Sequence, residues 1–223
     1  MDAATCPQCG APIAFRSRDL VMRVCDYCRS AVLRDGETLR VAGTAAVVPE
    51  DVSPLQLGTR GRADGQPFEL VGRVRWRWTD GGWNEWAILF GEGRHGWLGE
   101  AMGRFMLLGE LGHSGQRTAM VRTVASGDTP RVGDRCTIDG VEYIATDVRE
   151  ATCVAAEGEL PTPVATGTVV LSVDLMAADG RCASIQRDAA GTHVYAGRYV
   201  TLADVAATDL RQFDGWPMPR FAA

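Results

Sequence analysis

The chain has 223 residues, a formal net charge of -5 at pH 7 and a sequence pI near 5.3. An acidic balance disfavours a general nucleic-acid binder, because phosphate contacts require a basic field that releases counterions. No apolar run approaches the roughly 20 residues of a membrane helix, and the N-terminus lacks the pattern of a secretory leader, so we expect a cytoplasmic protein.

Two Cys-x-x-Cys pairs open the chain and are separated by fifteen residues. This spacing is typical of a structural zinc site, in which four thiolates surround one ion. A closed set of four thiolates leaves no position for water, so the spacing predicts one structural Zn²⁺ and no catalytic metal. The predicted ligands are Cys6, Cys9, Cys25 and Cys28. The other cysteines, Cys136, Cys153 and Cys182, lie in apolar stretches and are expected to be buried, unreactive thiols.

Short apolar segments surround the first four cysteines and predict a zinc ribbon over residues 1–41. Because so few apolar residues cannot offset the ordering entropy, we expect metal binding to hold the ribbon folded. Residues 42–54 contain small residues and two prolines without an amphipathic period, which is typical of a linker.

The rest of the chain contains a weak internal repeat. Three segments of a first copy recur in order in a second copy, at growing offsets. The matches are 58–68 with 133–143 at an offset of 75, 92–94 with 179–181 at 87, and 103–108 with 197–202 at 94. The growing offsets predict longer loops in the second copy, the first of them near residues 157–163.

Each copy begins with an Asp-Gly dipeptide between apolar segments, which is the strongest short hairpin signal. The sequence therefore predicts a mainly β protein, in which the zinc ribbon precedes a duplicated small β-meander or barrel with few short helices. We expect two packed β units, the first over residues 55–125 and the second over 126–223. Helical turns are expected at 98–106 and 203–210.

Five of the six tryptophans lie within 22 residues of the first unit. On a strand, Trp83 and Glu85 would point to one face and Asn84 and Trp86 to the other. The structural interpretation is that an acid or amide satisfies buried indole N–H groups. The functional alternative is a mixed aromatic and acidic pocket that suits a cationic ligand. The candidate ligand-binding residues are Trp83, Asn84, Glu85, Trp86, Trp97 and Glu100.

Signals of catalysis are weak in this sequence. The three histidines, His95, His113 and His193, have no ligand spacing and stand beside no recognisable nucleophile. The sequence also lacks the glycine-rich phosphate loop of the P-loop proteins. We therefore expect a protein that is not an enzyme.

Several segments resemble the signature of a bacterial domain family of unknown function, DUF4178. They are Gly72-Arg73, Trp83-Asn-Glu-Trp86, Gly96-Trp-Leu98 with Glu100, Val173-Asp-Leu175, Asp179-Gly180 and Tyr195-Ala-Gly-Arg-Tyr199. The resemblance covers nearly the whole chain, and members of that family often carry an N-terminal Cys-x-x-Cys ribbon. It implies no reaction or substrate, but it implies an association with membrane proteins and polyamine-type enzymes in stress or peptide-modification operons. Residues 181–185 depart from the family pattern, which puts a site there in doubt.

Three functions are compatible with these observations. We expect a non-catalytic adaptor that binds other proteins through the ribbon and the β body, in a bacterial stress or membrane-associated assembly. The first alternative is a sensor of a small cationic or aromatic ligand in the tryptophan cluster. The second alternative is nucleic-acid binding through the locally basic ribbon. The arginines of the ribbon are Arg16, Arg18, Arg23, Arg29, Arg34 and Arg40.

Overall fold

A computed structural model describes residues 4–49, 51–112, 118–217, 219 and 221. The described chain is mainly β, as predicted, with one short α-helix. The ribbon strands are β1 (Ala4–Thr5), β2 (Pro12–Ile13), β3 (Met22–Val24), β4 (Ser30–Asp35) and β5 (Thr38–Thr44). The first copy contains β6 (Arg60–Ala63), β7 (Gln66–Trp78), β8 (Gly81–Phe90), β9 (His95–Ala101) and β10 (Arg104–Glu110). After α1 (Ala119–Ala125), the second copy contains β11 (Arg135–Ile138), β12 (Val141–Leu160), β13 (Val169–Ala177), β14 (Arg181–Arg187) and β15 (Thr192–Val200).

The two copies close into one barrel. Strands β7 to β10 form one antiparallel meander, and strands β12 to β15 form the other. Strand β10 pairs with β15 and strand β7 pairs with β12, so the eight strands make a closed antiparallel ring. The two predicted β units are therefore the two halves of a single barrel, in which all eight strands surround one interior.

The hairpins that open the two copies are equivalent. Asp64 and Gly65 join β6 to β7 with φ values of 51° and 78°, and Asp139 and Gly140 join β11 to β12 with φ values of 47° and 79°. Two successive residues with positive φ are the requirement of a type I′ turn. The structure thus confirms the sequence match at an offset of 75.

The third sequence match is wrong. Gly103 lies in the turn between β9 and β10, whereas Gly197 lies inside β15. The turn that corresponds to Gly103 contains Gly191, between β14 and β15. Short glycine-containing segments match by chance, and only the strand pairing shows which glycine ends a hairpin.

Strand β12 carries part of the insertion near residues 157–163, where the sequence predicted a longer loop. It has 20 residues, whereas its equivalent β7 has 13. The additional residues extend β12 beyond the barrel, where Glu159 pairs with Arg23 and Leu160 pairs with Met22 of β3. One long strand therefore belongs to the barrel and to the sheet of the ribbon.

The ribbon covers one end of the barrel. Its apolar side chains, among them Leu20 and Met22, form one continuous core with barrel residues such as Val71 and Val74. Polar contacts hold the same junction, since Arg16 and Arg23 both form ion pairs with the carboxylate of Glu159. The opposite end, with the turns that join β7 to β8 and β9 to β10, is not covered by the ribbon.

Two further apolar clusters cover the outside of the barrel wall. Residues Leu55, Val205 and Leu210 pack on the outer face of the first meander. Helix α1 packs on the outer face of the second meander through Met120 and Val124. Segments that flank the strands in sequence thus bury the outer side chains of both halves.

Both predicted helical segments are wrong. Residues 98–106 belong to β9, its turn and β10, and residues 203–210 form turns. The alternation of buried Leu98 with Gly99 and buried Glu100 follows the two-residue period of a strand. Within the described part of the chain, no helix is long and apolar enough to span a membrane.

Candidate functional site

The four cysteines of the ribbon converge on one point. The Sγ atoms of Cys6 and Cys28 lie 3.7 Å apart, and those of Cys9 and Cys25 lie 3.8 Å apart. All four Sγ atoms lie within 4.8 Å of one another. A tetrahedron with metal–sulfur bonds of about 2.3 Å has edges of about 3.8 Å, so the cluster has the size of a tetrahedral thiolate site.

Two tight turns place these thiols. The amide of Gly10 donates to the carbonyl of Cys6, and the amide of Arg29 donates to the carbonyl of Cys25. Gly10 and Arg29 have φ values of 75° and 62°, which turn the chain back after each pair. The described cluster offers four sulfur ligands and could hold one metal ion.

The motif Trp83-Asn84-Glu85-Trp86 alternates across the barrel wall. Trp83 and Glu85 face the interior, where they line a cavity together with Trp97. Asn84 and Trp86 face outward and are buried beneath residues 51–57. The motif therefore serves two separate environments, one on each side of β8.

The outward half of the motif belongs to a buried polar network. The carboxylate of Glu100 accepts hydrogen bonds from Ser53 Oγ, Asn84 Nδ2 and Trp86 Nε1 at 2.7 to 2.9 Å. Arg73 donates to Asn84 Oδ1, forms an ion pair with Asp51 and stacks on the ring of Trp86. This network attaches the segment after the ribbon to the barrel wall. It explains Asn84, Trp86 and Glu100 as structural residues.

The barrel interior contains a cavity of about 380 Å³, within the range of small-molecule sites. Every strand of the barrel contributes to its lining. The walls are aromatic and sulfur-containing, with carboxylates and hydroxyls among them. The aromatic and methionine lining comprises Trp78, Trp83, Trp97, Met102, Met106, Met176, Tyr195 and Tyr199.

Glu85 is fixed in this cavity by neutral donors. Its Oε1 accepts from Trp83 Nε1 at 2.9 Å and from Gln186 Nε2 at 2.6 Å, and its Oε2 accepts from Trp76 Nε1 at 2.7 Å. Burial raises the pKa of Glu85, and the three hydrogen bonds act against that rise. Glu85 therefore fits both interpretations of the motif. It accepts hydrogen bonds from two buried indole N–H groups, and it also places a carboxyl group in a cavity.

Asp174 of β13 is the second interior carboxyl group without a basic partner. Glu100 and Asp147 also border the cavity, but Glu100 is bonded within the outward network and Asp147 is paired with Arg149. Burial raises its pKa to about 6, hydrogen bonds from Ser184 and Ser172 lower it, and the nearby acids Glu85 and Asp147 raise it further. The sequence analysis missed Asp174. The sequence pattern that points to Asp174 is the alternation of Ser172, Asp174 and Met176 within an apolar strand, because this alternation puts all three on one face.

Replacement of Asp174 by Asn is expected to change the pH dependence of stability. The folded protein holds the Asp174 proton more tightly than the unfolded chain, whose ordinary value is 3.8. Wild-type stability should therefore fall relative to Asp174→Asn as the pH rises from about 4 to about 6, by about 3 kcal/mol at about 1.4 kcal/mol per pH unit. Urea unfolding from pH 4 to pH 7 measures the difference.

Glu142→Gln is the matched control, because Glu142 is an exposed acid outside the cavity that pairs with Arg135. Its stability curve should run parallel to that of the wild type above pH 5. If the Asp174→Asn curve were also parallel, Asp174 would not be a buried acid with a raised pKa.

The open end of the cavity carries positive charge. Arg104 lies 4.5 Å above the ring of Tyr199, and Arg149 lies 5.8 Å from the centre of the Trp78 ring. Arg149 also forms an ion pair with Asp147 at 3.1 Å. The cavity is thus acidic inside and basic at its mouth.

Four of the six ribbon arginines serve internal contacts. Arg16 and Arg23 bind Glu159, Arg29 donates to the carbonyl of Ala46, and Arg34 donates to the carbonyls of Ser17 and Leu20. These side chains hold the ribbon together and fix it to the barrel. Because these four arginines are engaged within the protein, the case for nucleic-acid binding by the ribbon is weaker than the sequence suggested.

The three cysteines outside the ribbon and His193 have defined positions in the structure. Cys136, Cys153 and Cys182 are buried, as predicted. Burial raises the pKa of Cys153 to about 11, which keeps this thiol protonated at neutral pH. His193 lies 2.9 Å from Glu110 on the barrel, and His113 lies outside the described residues.

The fold and its two sites define a class of protein: an eight-stranded antiparallel β-barrel with an interior aromatic and acidic cavity, capped at one end by a four-cysteine ribbon. Residues 56–202 match the family described as a domain of unknown function, DUF4178, and the chain belongs to this family. The matched segment contains the whole barrel, and the ribbon precedes it. No curated protein and no solved structure matches the chain.

Proposed function

We propose that the barrel binds a small organic cation in its cavity, without catalysing a reaction, and that the ribbon holds a structural zinc ion. One observation carries the first proposal: two carboxyl groups, Glu85 and Asp174, stand in a cavity walled by aromatic rings, and the groups that bond to them are neutral. A cation inside this cavity would supply the positive counter-charge that neither carboxylate receives from its neighbours.

The aromatic walls support the same ligand. Ring faces attract ammonium groups, and this attraction grows when the cation is desolvated. Trp76 and Trp83 stack with ring centres 6.1 Å apart, which keeps the wall beside Glu85 rigid. A neutral ligand would gain only the apolar contacts, and an anionic ligand would be repelled by both acids.

Zinc is proposed for the ribbon because of its ligand chemistry. Four thiolates at tetrahedral spacing are one of the standard structural zinc sets, and such soft ligands select against magnesium and calcium. With all four positions taken by sulfur, the ion supplies folding energy to the ribbon. The adaptor function expected from the sequence stays a prediction, because the site described above is an interior cavity and not a surface.

The cation proposal is tested by titrating the protein with primary amines of four to eight carbons and with the alcohols of equal length. We expect the amines to change tryptophan fluorescence and the alcohols to bind at least tenfold more weakly. Asp174→Asn should raise the Kd of the amines about tenfold or more, because a hydrogen bond to a charged group contributes about 1.5–3 kcal/mol. Glu85→Gln should have an effect in the same direction.

Glu142→Gln is the control for this experiment, since Glu142 lies on the same strand as part of the cavity wall but pairs with Arg135 on the surface. Its Kd values should equal those of the wild type. Equal affinity for amines and alcohols, or no binding of any amine, would contradict the proposed function.

A further inference from the structure

We propose that the natural ligand is a zwitterion whose ammonium group lies at Glu85 and Asp174 and whose anionic group lies at Arg104 in the mouth. This inference rests on the proposed function and adds the class of ligand. It follows from the order of charges along the cavity, which is acidic inside and basic at the opening. A ligand with one cationic and one anionic end, at a suitable separation, matches both regions.

Arg104 is placed to meet such a ligand. It is the first residue of β10 and shares the inward face of that strand with Met106 and Leu108, which line the cavity. Its guanidinium stacks on Tyr199 at 4.5 Å. Within residues 4–49, 51–112 and 118–217, no carboxylate forms an ion pair with Arg104. Its N–H groups are therefore available for a carboxylate or a phosphate.

Arg149 makes a smaller contribution than Arg104. It also lines the mouth, but Asp147 already neutralises it at 3.1 Å. The net positive charge at the mouth therefore comes from Arg104. Both acids of the interior are more buried than Arg104, since Glu85 and Asp174 are only partly accessible and Arg104 is exposed.

The strand register gives the separation of the two charges. Glu85 faces Gly99 across β8 and β9, and Gly99 faces Met106 across β9 and β10. Arg104 is one interior position nearer the mouth than Met106. Two residues span about 6–7 Å along a strand and two strand spacings add about 9–10 Å across the sheet, so the backbone positions of Glu85 and Arg104 lie about 12 Å apart.

This separation selects among zwitterions. In an α-amino acid the ammonium and the carboxylate share one carbon, which gives the shortest span between the two charges. An ω-amino acid, in which a chain of several carbons separates the two groups, reaches both. Its apolar middle then contacts Met106 and the ring of Tyr199.

The test compares three series of probes with chains of four to eight carbons: alkylamines, ω-amino acids and α,ω-diamines. We expect at least one ω-amino acid to bind about tenfold more tightly than the alkylamine of equal length, and the diamine to bind no more tightly than that alkylamine. Arg104→Gln should remove the advantage of the ω-amino acid while leaving the Kd of the alkylamine unchanged. Isothermal titration calorimetry gives the Kd values.

Arg198→Gln is the matched control, because Arg198 lies on the outer face of β15 and pairs with Asp64. It should preserve the advantage of the ω-amino acid. Two results would overturn the proposal while leaving the cation site intact: tighter binding of diamines than of ω-amino acids, or an unchanged advantage in Arg104→Gln. If no series binds, the proposed function itself fails.

Discussion

Replacement of Cys25 by Ser is expected to unfold the ribbon and to leave the barrel folded but less stable. Cys25 lies within the four-thiol cluster, and metal binding contributes about 10–16 kcal/mol to the folding of small zinc modules. Without the metal, the ribbon keeps only its packing on the barrel, and we expect the apolar residues of β3, β4 and β5 to be too few to hold these strands. The barrel keeps its own interior and its closed ring of strands.

Hydrogen exchange with mass spectrometry measures this result. Amides of residues 22–24, 30–35 and 38–44 should lose protection in Cys25→Ser, while amides of β8, β9 and β14 should keep it. Bound metal, which we propose to be zinc, should fall in elemental analysis to less than a tenth of its content in the wild type. Cys136→Ser is the control, because this buried thiol lies outside the cluster and its loss should leave the ribbon protected. Protected ribbon amides in Cys25→Ser would show that the metal does not hold the fold.

Gly158→Ala is expected to destabilise the barrel at the seam between β7 and β12. Gly158 pairs with Gly72, and a Cβ atom at Gly158 would lie 2.2 Å from the carbonyl oxygen of Val71. Its φ of 71° also disfavours any side chain. Overpacking costs about 1–3 kcal/mol and the left-handed conformation about 1–2 kcal/mol, so we expect a loss of about 2–5 kcal/mol.

Gly109→Ala is the matched control for this substitution. Gly109 also lies at a seam, opposite Ala196, but no atom lies within 4 Å of an added Cβ. Denaturant unfolding should show a change of less than about 1 kcal/mol for Gly109→Ala. Equal stability of the two variants would mean that β7 and β12 can separate enough to accept a side chain.

Local signals in the sequence predicted much of this protein. The cysteine spacing predicted the thiol cluster, and the Asp-Gly dipeptides predicted equivalent hairpins, because both features depend on residues close together in the chain. The two-residue period of a strand correctly separated Trp83 and Glu85 from Asn84 and Trp86. Each of these inferences needs only local geometry.

Features that depend on distant residues were not predictable in the same way. Closure of the barrel requires β7 to pair with β12 and β10 with β15, and the sequence does not specify these partners. Asp174 enters the cavity only because β13 stands in the same ring as β8. The helix expected at 98–106 failed because a short apolar segment fits either period, and pairing with β8 and β15 decided the outcome.

The closure of the barrel also bears on the origin of the protein. Each seam joins equivalent strands of the two halves in antiparallel orientation, and Arg77 of β7 faces Thr152 of β12, which is the residue 75 positions later. This is the arrangement at the twofold axis of a homodimer. An ancestral chain with a single meander would leave two strand edges open and would close them by pairing with a second copy. Fusion of two such copies would leave each half free to diverge, and in this chain one half supplies Glu85 with its indoles and the other supplies Asp174.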